Sequence, residues 1–138
     1  MANTLKLEII TPDAKVFDGP AEFVELPGAE GDMGVFPLHE TMLTELKAGE
    51  LRITREGKVE VLAIGEGFAE IRADSIVIMT DGAVPEARID EKAAEAAVKR
   101  AEELLKSASL QGDELEATQA SLARSLAQIK VKRRHHAG

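Results

Sequence analysis

Gly28, Gly31 and Gly34 stand three residues apart between Pro27 and Pro37, and His39 follows two positions later. Glycine-rich stretches can cradle phosphate through backbone N–H groups, and histidine is the usual proton carrier near neutral pH. Phosphate chemistry does not fit. Glu30 and Asp32 inside the stretch repel an anion, and no helix start follows it. The sequence G-x-x-x-x-G-K-[ST] is absent, and Gly65-x-Gly67 lacks a third glycine because position 70 is Glu. His39 has no second histidine, cysteine or serine nucleophile placed to help it, so a hydrogen-bonded histidine at a loop base stands against a metal ligand or general base. His135 and His136 read as part of a frayed terminus that binds metal adventitiously. Carboxylates are many, but nothing in sequence pairs two in a cleft, and a solvated surface is the default. No catalytic residue, metal or cofactor is expected.

Charge is the other resource. Residues 1–88 hold 17 acidic and 8 basic side chains, a net of −9 within a total of −8. Residues 130–134 hold Lys130, Lys132, Arg133 and Arg134, a net of +4 in five positions. An acidic body with only four phenylalanines argues against nucleic acid. The basic run is either a solvating helix end or a grip on an acidic partner surface. With 138 residues, no cysteine, no long apolar run and no export signal, the chain reads as a soluble protein of a reducing compartment.

The elements that must position these residues divide at 81–85, Asp-Gly-Ala-Val-Pro. Before it, short alternating runs such as Leu5-Lys6-Leu7-Glu8-Ile9 and Leu51-Arg52-Ile53-Thr54-Arg55 read as strands with one buried face. Lys15-Val16-Phe17 reads as a short strand closed by Asp18-Gly19-Pro20, and the run from Ala21 to Leu26 delivers the chain to the glycine stretch. That stretch reads as a loop, with Pro27-Gly28 at the centre of a type II turn and Val35 and Phe36 returning to the core. About eight to ten strands without intervening helices favour an antiparallel sandwich or flattened barrel.

Beyond the break, strong helix formers dominate. Asp90 caps a helix expected over about 91–106, with a stripe of Ala94, Ala97, Ala101, Leu104, Leu105 and Ala108. After Gln111-Gly112, a second is expected over about 114–132, with Leu115, Leu122, Leu126 and Ile129 on one face. The chain is therefore α+β, with a sandwich domain over 1–86 and an antiparallel two-helix hairpin over 87–138. So few large apolar groups serve the hairpin that it needs the sandwich or a partner to stay folded.

Pro27-Gly28-x-x-Gly31-Asp32-x-Gly34-Val35-x-Pro37-x-His39 resembles the characteristic loop of the epsilon subunit family of F-type ATP synthases, bacterial type. Gly65-Glu66-Gly67-Phe68-Ala69-Glu70-Ile71, the run Ile76 to Asp81 and the alanine-rich tail from Ile89-Asp90 are similar to later segments of that family. The resemblance implies a non-catalytic central-stalk subunit that binds the gamma subunit and the c-ring, couples their rotation, and restrains ATP hydrolysis with its helices. It implies a c-ring contact at Ala29, Glu30, Gly31 and Asp32, and a gamma contact near His39. Arg124, Lys130, Lys132, Arg133 and Arg134 become candidates for a transient inhibitory contact with acidic segments of the alpha/beta catalytic head. The implied location is the cytoplasmic face of a bacterial plasma membrane, peripheral and held only through the complex, with a plastid-encoded protein as the other reading.

Some members bind ATP on the hairpin through Ile/Leu-Asp-x-x-Arg-Ala. Here Ile89 and Asp90 fit, but Ala93 replaces the arginine, and an anionic ligand loses its most directional donor. Weak or absent ATP binding is expected. The rivals are a free-standing adaptor that presents its hairpin to a coiled coil and, more distant, a small hydrolase or lyase with His39 in a pocket beside a carboxylate.

Overall fold

The computed structural model describes residues 4–107 and 109–136. Ten strands come first: β1 Leu5–Ile10, β2 Lys15–Ala21, β3 Phe23–Gly28, β4 Gly31–Val35, β5 Met42–Leu46, β6 Gly49–Arg55, β7 Lys58–Ile64, β8 Gly67–Ile71, β9 Ser75–Thr80 and β10 Ala83–Pro85. A 3-10 turn, Glu86–Arg88, leads to α1 Glu91–Leu105 and α2 Gly112–His136.

The strands form one hydrogen-bonded path, β10-β7-β6-β3-β5-β8-β9-β1-β2, with β4 added to β3. The path rolls over on itself, so Arg55 of β6 lies over the Phe17 ring of β2 at 5.1 Å. Alternate residues point inward and share one core: Leu5, Leu7 and Ile9 meet Val24, Leu26, Leu51, Ile53, Ile71, Ile76 and Ile78. Burying that apolar surface is the main term holding the sandwich. The pairs are antiparallel with one exception, since β1 runs parallel to β9 from Lys6 opposite Ser75 to Ile10 opposite Met79.

Three local readings are corrected. Pro27-Gly28 is not the centre of a turn: both residues are buried in β3, and the bend is Ala29-Glu30, closed by Gly28 opposite Gly31. Tertiary pairing overrides the local turn preference here because proline's missing N–H is not needed, while the Pro27 carbonyl accepts the Lys47 N–H at 2.9 Å. Asp18-Gly19-Pro20 likewise continues β2 instead of ending it, as an edge strand permits. Of the pair expected to return to the core, Val35 is buried and Phe36 is exposed, stacked on Phe23 at 4.3 Å.

The Asp90 carboxylate accepts the Ala93 N–H at 3.0 Å and caps α1 as expected. Ala94 and Ala101 are buried, whereas Leu104 is exposed; Ala108 lies outside the described residues. On α2 the buried residues are Ser125, Ala127 and Val131, not the expected leucines, and Leu126 faces outward. Val131 joins Ala63 and Ile89 in a second, small apolar cluster, flanked by Val61 and Val84.

Candidate interaction sites

The bend at the end of β3 and β4 is presented as a stiff, acidic tip. Ala29, Glu30, Gly31 and Asp32 are all exposed, while Pro27 and Gly28 behind them are buried. The Ala29 N–H donates to the Glu45 carbonyl at 2.9 Å, which ties the tip to β5. Gly31 sits at φ 140°, a conformation that only glycine adopts cheaply.

His39 follows β4 in the connection to β5. It is half-buried, and its Nδ1 lies 2.8 Å from the Glu40 main-chain oxygen. Around it the segment is apolar and outward: Leu38 is 78% exposed at φ 70°, and Phe36, Met42 and Leu43 are exposed too. Across the neighbouring strands Phe68 stands opposite Met79, both exposed, and Leu43 lies diagonal to Phe68 across the β5 and β8 register. These side chains form an uncovered apolar row on an otherwise acidic body. Sequence reasoning missed it, although the unbroken apolar run Ile76-Val77-Ile78-Met79 signals a strand that wants cover on both faces.

The basic residues of α2 are engaged with the molecule's own carboxylates. Arg124 Nη1 lies 2.9 Å from Asp81 Oδ2, and Lys132 Nζ lies 3.7 Å from Glu86 Oε1. Arg133 reaches Glu91 at 2.9 Å and Glu95 at 3.0 Å on α1. Hydrogen bonds to Glu91 and then Glu95 hold its guanidinium above the ordinary arginine value. Arg134 and His135 share one carboxylate oxygen of Glu50 on β6, at 3.4 and 3.1 Å. The expectation that His135 frays is thereby corrected, since this clasp keeps the last turn ordered; the side chain of His136 lies outside the described residues. Lys130 alone of the five candidates makes no ion pair among the described residues, and it lines a cleft with Leu126 and Arg134 against Pro27 and Gly49. Most of these pairs are solvated, so each is weak and together they hold the helix lightly. Glu50, Asp81 and Glu86 were not singled out from sequence, for nothing local marks a partner 43 to 85 positions away.

At the start of α1, Ile89 is buried in the small cluster and the Asp90 carboxylate serves as helix cap. No helix among the described residues is long and apolar enough to cross a membrane, and no group of three or more metal-ligating side chains is gathered among them.

Comparison with known proteins accounts for both halves. Residues 4–86 match the family model of the ATP synthase delta/epsilon chain beta-sandwich domain, and residues 88–133 match that of its long alpha-helix domain. An ATP synthase epsilon chain of Desulforamulus reducens is 38% identical over 132 residues, covering 96% of this chain and 98% of that one. One from Laribacter hongkongensis is 37% identical over 140 residues, covering 97% and 99%. Among solved structures, a chain in the Euglena gracilis mitochondrial ATP synthase, OSCP/F1/c-ring in rotational state 1, is similar at a TM-score of 0.71 and 26% identity, covering 91% of this chain and 79% of that one. A chain of the Tetrahymena thermophila mitochondrial ATP synthase central stalk and c-ring shares the fold at a TM-score of 0.55 and 15% identity, with 94% of each covered. With both domain models matched in order and curated relatives aligned over nearly their whole length, the chain belongs to the ATP synthase delta/epsilon chain family, on the side of the bacterial epsilon chains.

Proposed function

We propose that this chain is the non-catalytic epsilon subunit of a proton-translocating F-type ATP synthase, peripheral to the membrane, coupling gamma to the c-ring and restraining ATP hydrolysis through α2. The observation that carries this reading is the pairing of the α2 cations with the sandwich and α1. A helix clasped by solvated ion pairs has a second binding choice built in, because an acidic surface elsewhere competes for the same guanidinium and ammonium groups. In the docked form those groups are occupied; in a released form they become a grip for acidic segments of the catalytic head. The apolar row of Leu43, Phe68 and Met79, on the strands that follow His39, fits the gamma subunit, and the acidic tip at 29–32 fits the polar loops of the c-ring.

The tagged chain is expected to co-purify with gamma. Reversing charge with Glu30→Lys and Asp32→Lys weakens c-ring association without changing the melting temperature, since both side chains are exposed and outside the core. Unaltered c-ring association, measured on the assembled complex, removes the tip from the contact.

Nucleotide is expected to have little effect on the isolated subunit. Where the related motif supplies an arginine, Ala93 supplies a methyl group and an N–H already committed to Asp90. Isothermal titration should show no ATP binding below millimolar concentrations; a micromolar affinity refutes this reading of residues 89–94.

A further inference from the structure

Arg124 lies in a seat built for it. Its aliphatic stem crosses two glycines, Gly65 between β7 and β8 and Gly82 between β9 and β10, before the guanidinium meets Asp81. A methyl group added at Gly82 would stand 2.9 Å from Arg124 Cδ and 3.8 Å from its Nε, with no other heavy atom within 4 Å. At Gly65 an added methyl would meet Asp81 Oδ1 at 1.7 Å and Arg124 Cγ at 2.8 Å. Neither glycine has the left-handed backbone that would by itself require glycine. Both are there for room.

The seat is also rigid. The buried Thr80 hydroxyl lies 2.9 Å from the Gly65 carbonyl oxygen and 3.1 Å from that of Gly82. The Gly65 N–H donates to the Gly82 carbonyl at 2.9 Å, and the Asp81 N–H donates to Glu66 at 3.0 Å. Two strand ends are thus stitched into a flat floor before α2 arrives. A floor fixed in advance lowers the ordering cost of docking and selects one register of the helix.

We propose that Gly65, Thr80, Asp81 and Gly82 form a receptor for the Arg124 side chain, and that occupancy of this receptor sets whether α2 stays docked. The regulatory consequence rests on the inhibitory role proposed above; the receptor itself does not. Arg124 acts here as a positioning residue, and Gly82 is the position at which the sandwich can be left intact while the seat is filled.

The test uses the full chain, which has no cysteine, carrying a single thiol through Val131→Cys, a site 1% exposed when the helix is docked. Maleimide labelling of that thiol reads release of α2. Gly82→Leu is expected to raise the labelling rate by about tenfold or more, the scale of an overpacking clash acting on an equilibrium. Asp81→Asn is expected to raise it by about two- to fivefold, as loss of a partly exposed ion pair would. In an Arg124→Ala background Gly82→Leu should add almost nothing, and amide exchange in β1 and β9 should stay as slow as before. Unchanged labelling in Gly82→Leu, an equal effect with and without Arg124, or lost protection in β1 and β9 each overturns the proposal. In the assembled synthase the same variant should lower ATP hydrolysis. Faster labelling with unaltered hydrolysis leaves the receptor standing and rejects the inhibitory role instead.

Discussion

Removal of residues 89–138 is expected to leave a folded sandwich that still binds gamma, while ATP hydrolysis by the complex rises several-fold. The reason is the separation of the two apolar clusters. The main core, from Leu5 to Ile78, takes every one of its buried members from the strands. The cut removes only Ile89 and Val131 from the second cluster and uncovers Ala63, Val61 and Val84. It also removes every α2 cation, and with them the group proposed to restrain the catalytic head. Pull-down with gamma and the hydrolysis rate of the reconstituted complex decide the matter. Unchanged hydrolysis with intact gamma binding would keep the coupling role and discard the restraint.

Gly67→Ala is expected to do the opposite kind of damage, lowering the melting temperature of the chain by more than about 10 °C through the sheet itself. Gly67 opens β8 opposite Leu46 and Thr80. A methyl group there would lie 1.9 Å from the Met79 carbonyl oxygen and 2.8 Å from the Thr80 Cα, both backbone atoms in the next strand. A flexible side chain such as Arg124, the group that a methyl at Gly82 would meet, can swing away, but a paired strand cannot move without losing its ladder. The cost falls at the upper end of overpacking, about 3 kcal/mol. Circular dichroism melts of Gly67→Ala and Gly82→Ala side by side separate the two kinds of glycine. Equal, small shifts would show that the sheet yields more readily than its geometry implies.

Much of the fold was legible because burial writes a period into a strand. Leu5, Leu7 and Ile9 alternate with Lys6 and Glu8 and occupy the core as their spacing demands. The first helix was equally plain, since Asp90 is a strong cap ahead of an alanine-rich run. The glycine stretch was misread as a loop because Pro27-Gly28 prefers a turn locally and spaced glycines disfavour a strand, whereas β3 and β4 pair through it and leave Ala29-Glu30 as the bend. On α2 the leucines drew attention away from Ser125, Ala127 and Val131, the residues small or branched enough to lie against the sandwich. The basic residues were visible as a run, but their partners were not. Arg124 and Asp81 are 43 positions apart, and Arg134 and Glu50 are 84. Only the rolled sheet brings them together.

The strand path has two ends, and each carries a proline: Pro20 in β2 and Pro85 in β10. A proline offers no N–H, so neither rim can template an incoming ribbon along its length. Along these two rims, newly made copies waiting for assembly are thereby kept from zippering into one another edge to edge. At those two rims a neighbour must instead meet this molecule through side chains, contacts that can be shed and remade one by one.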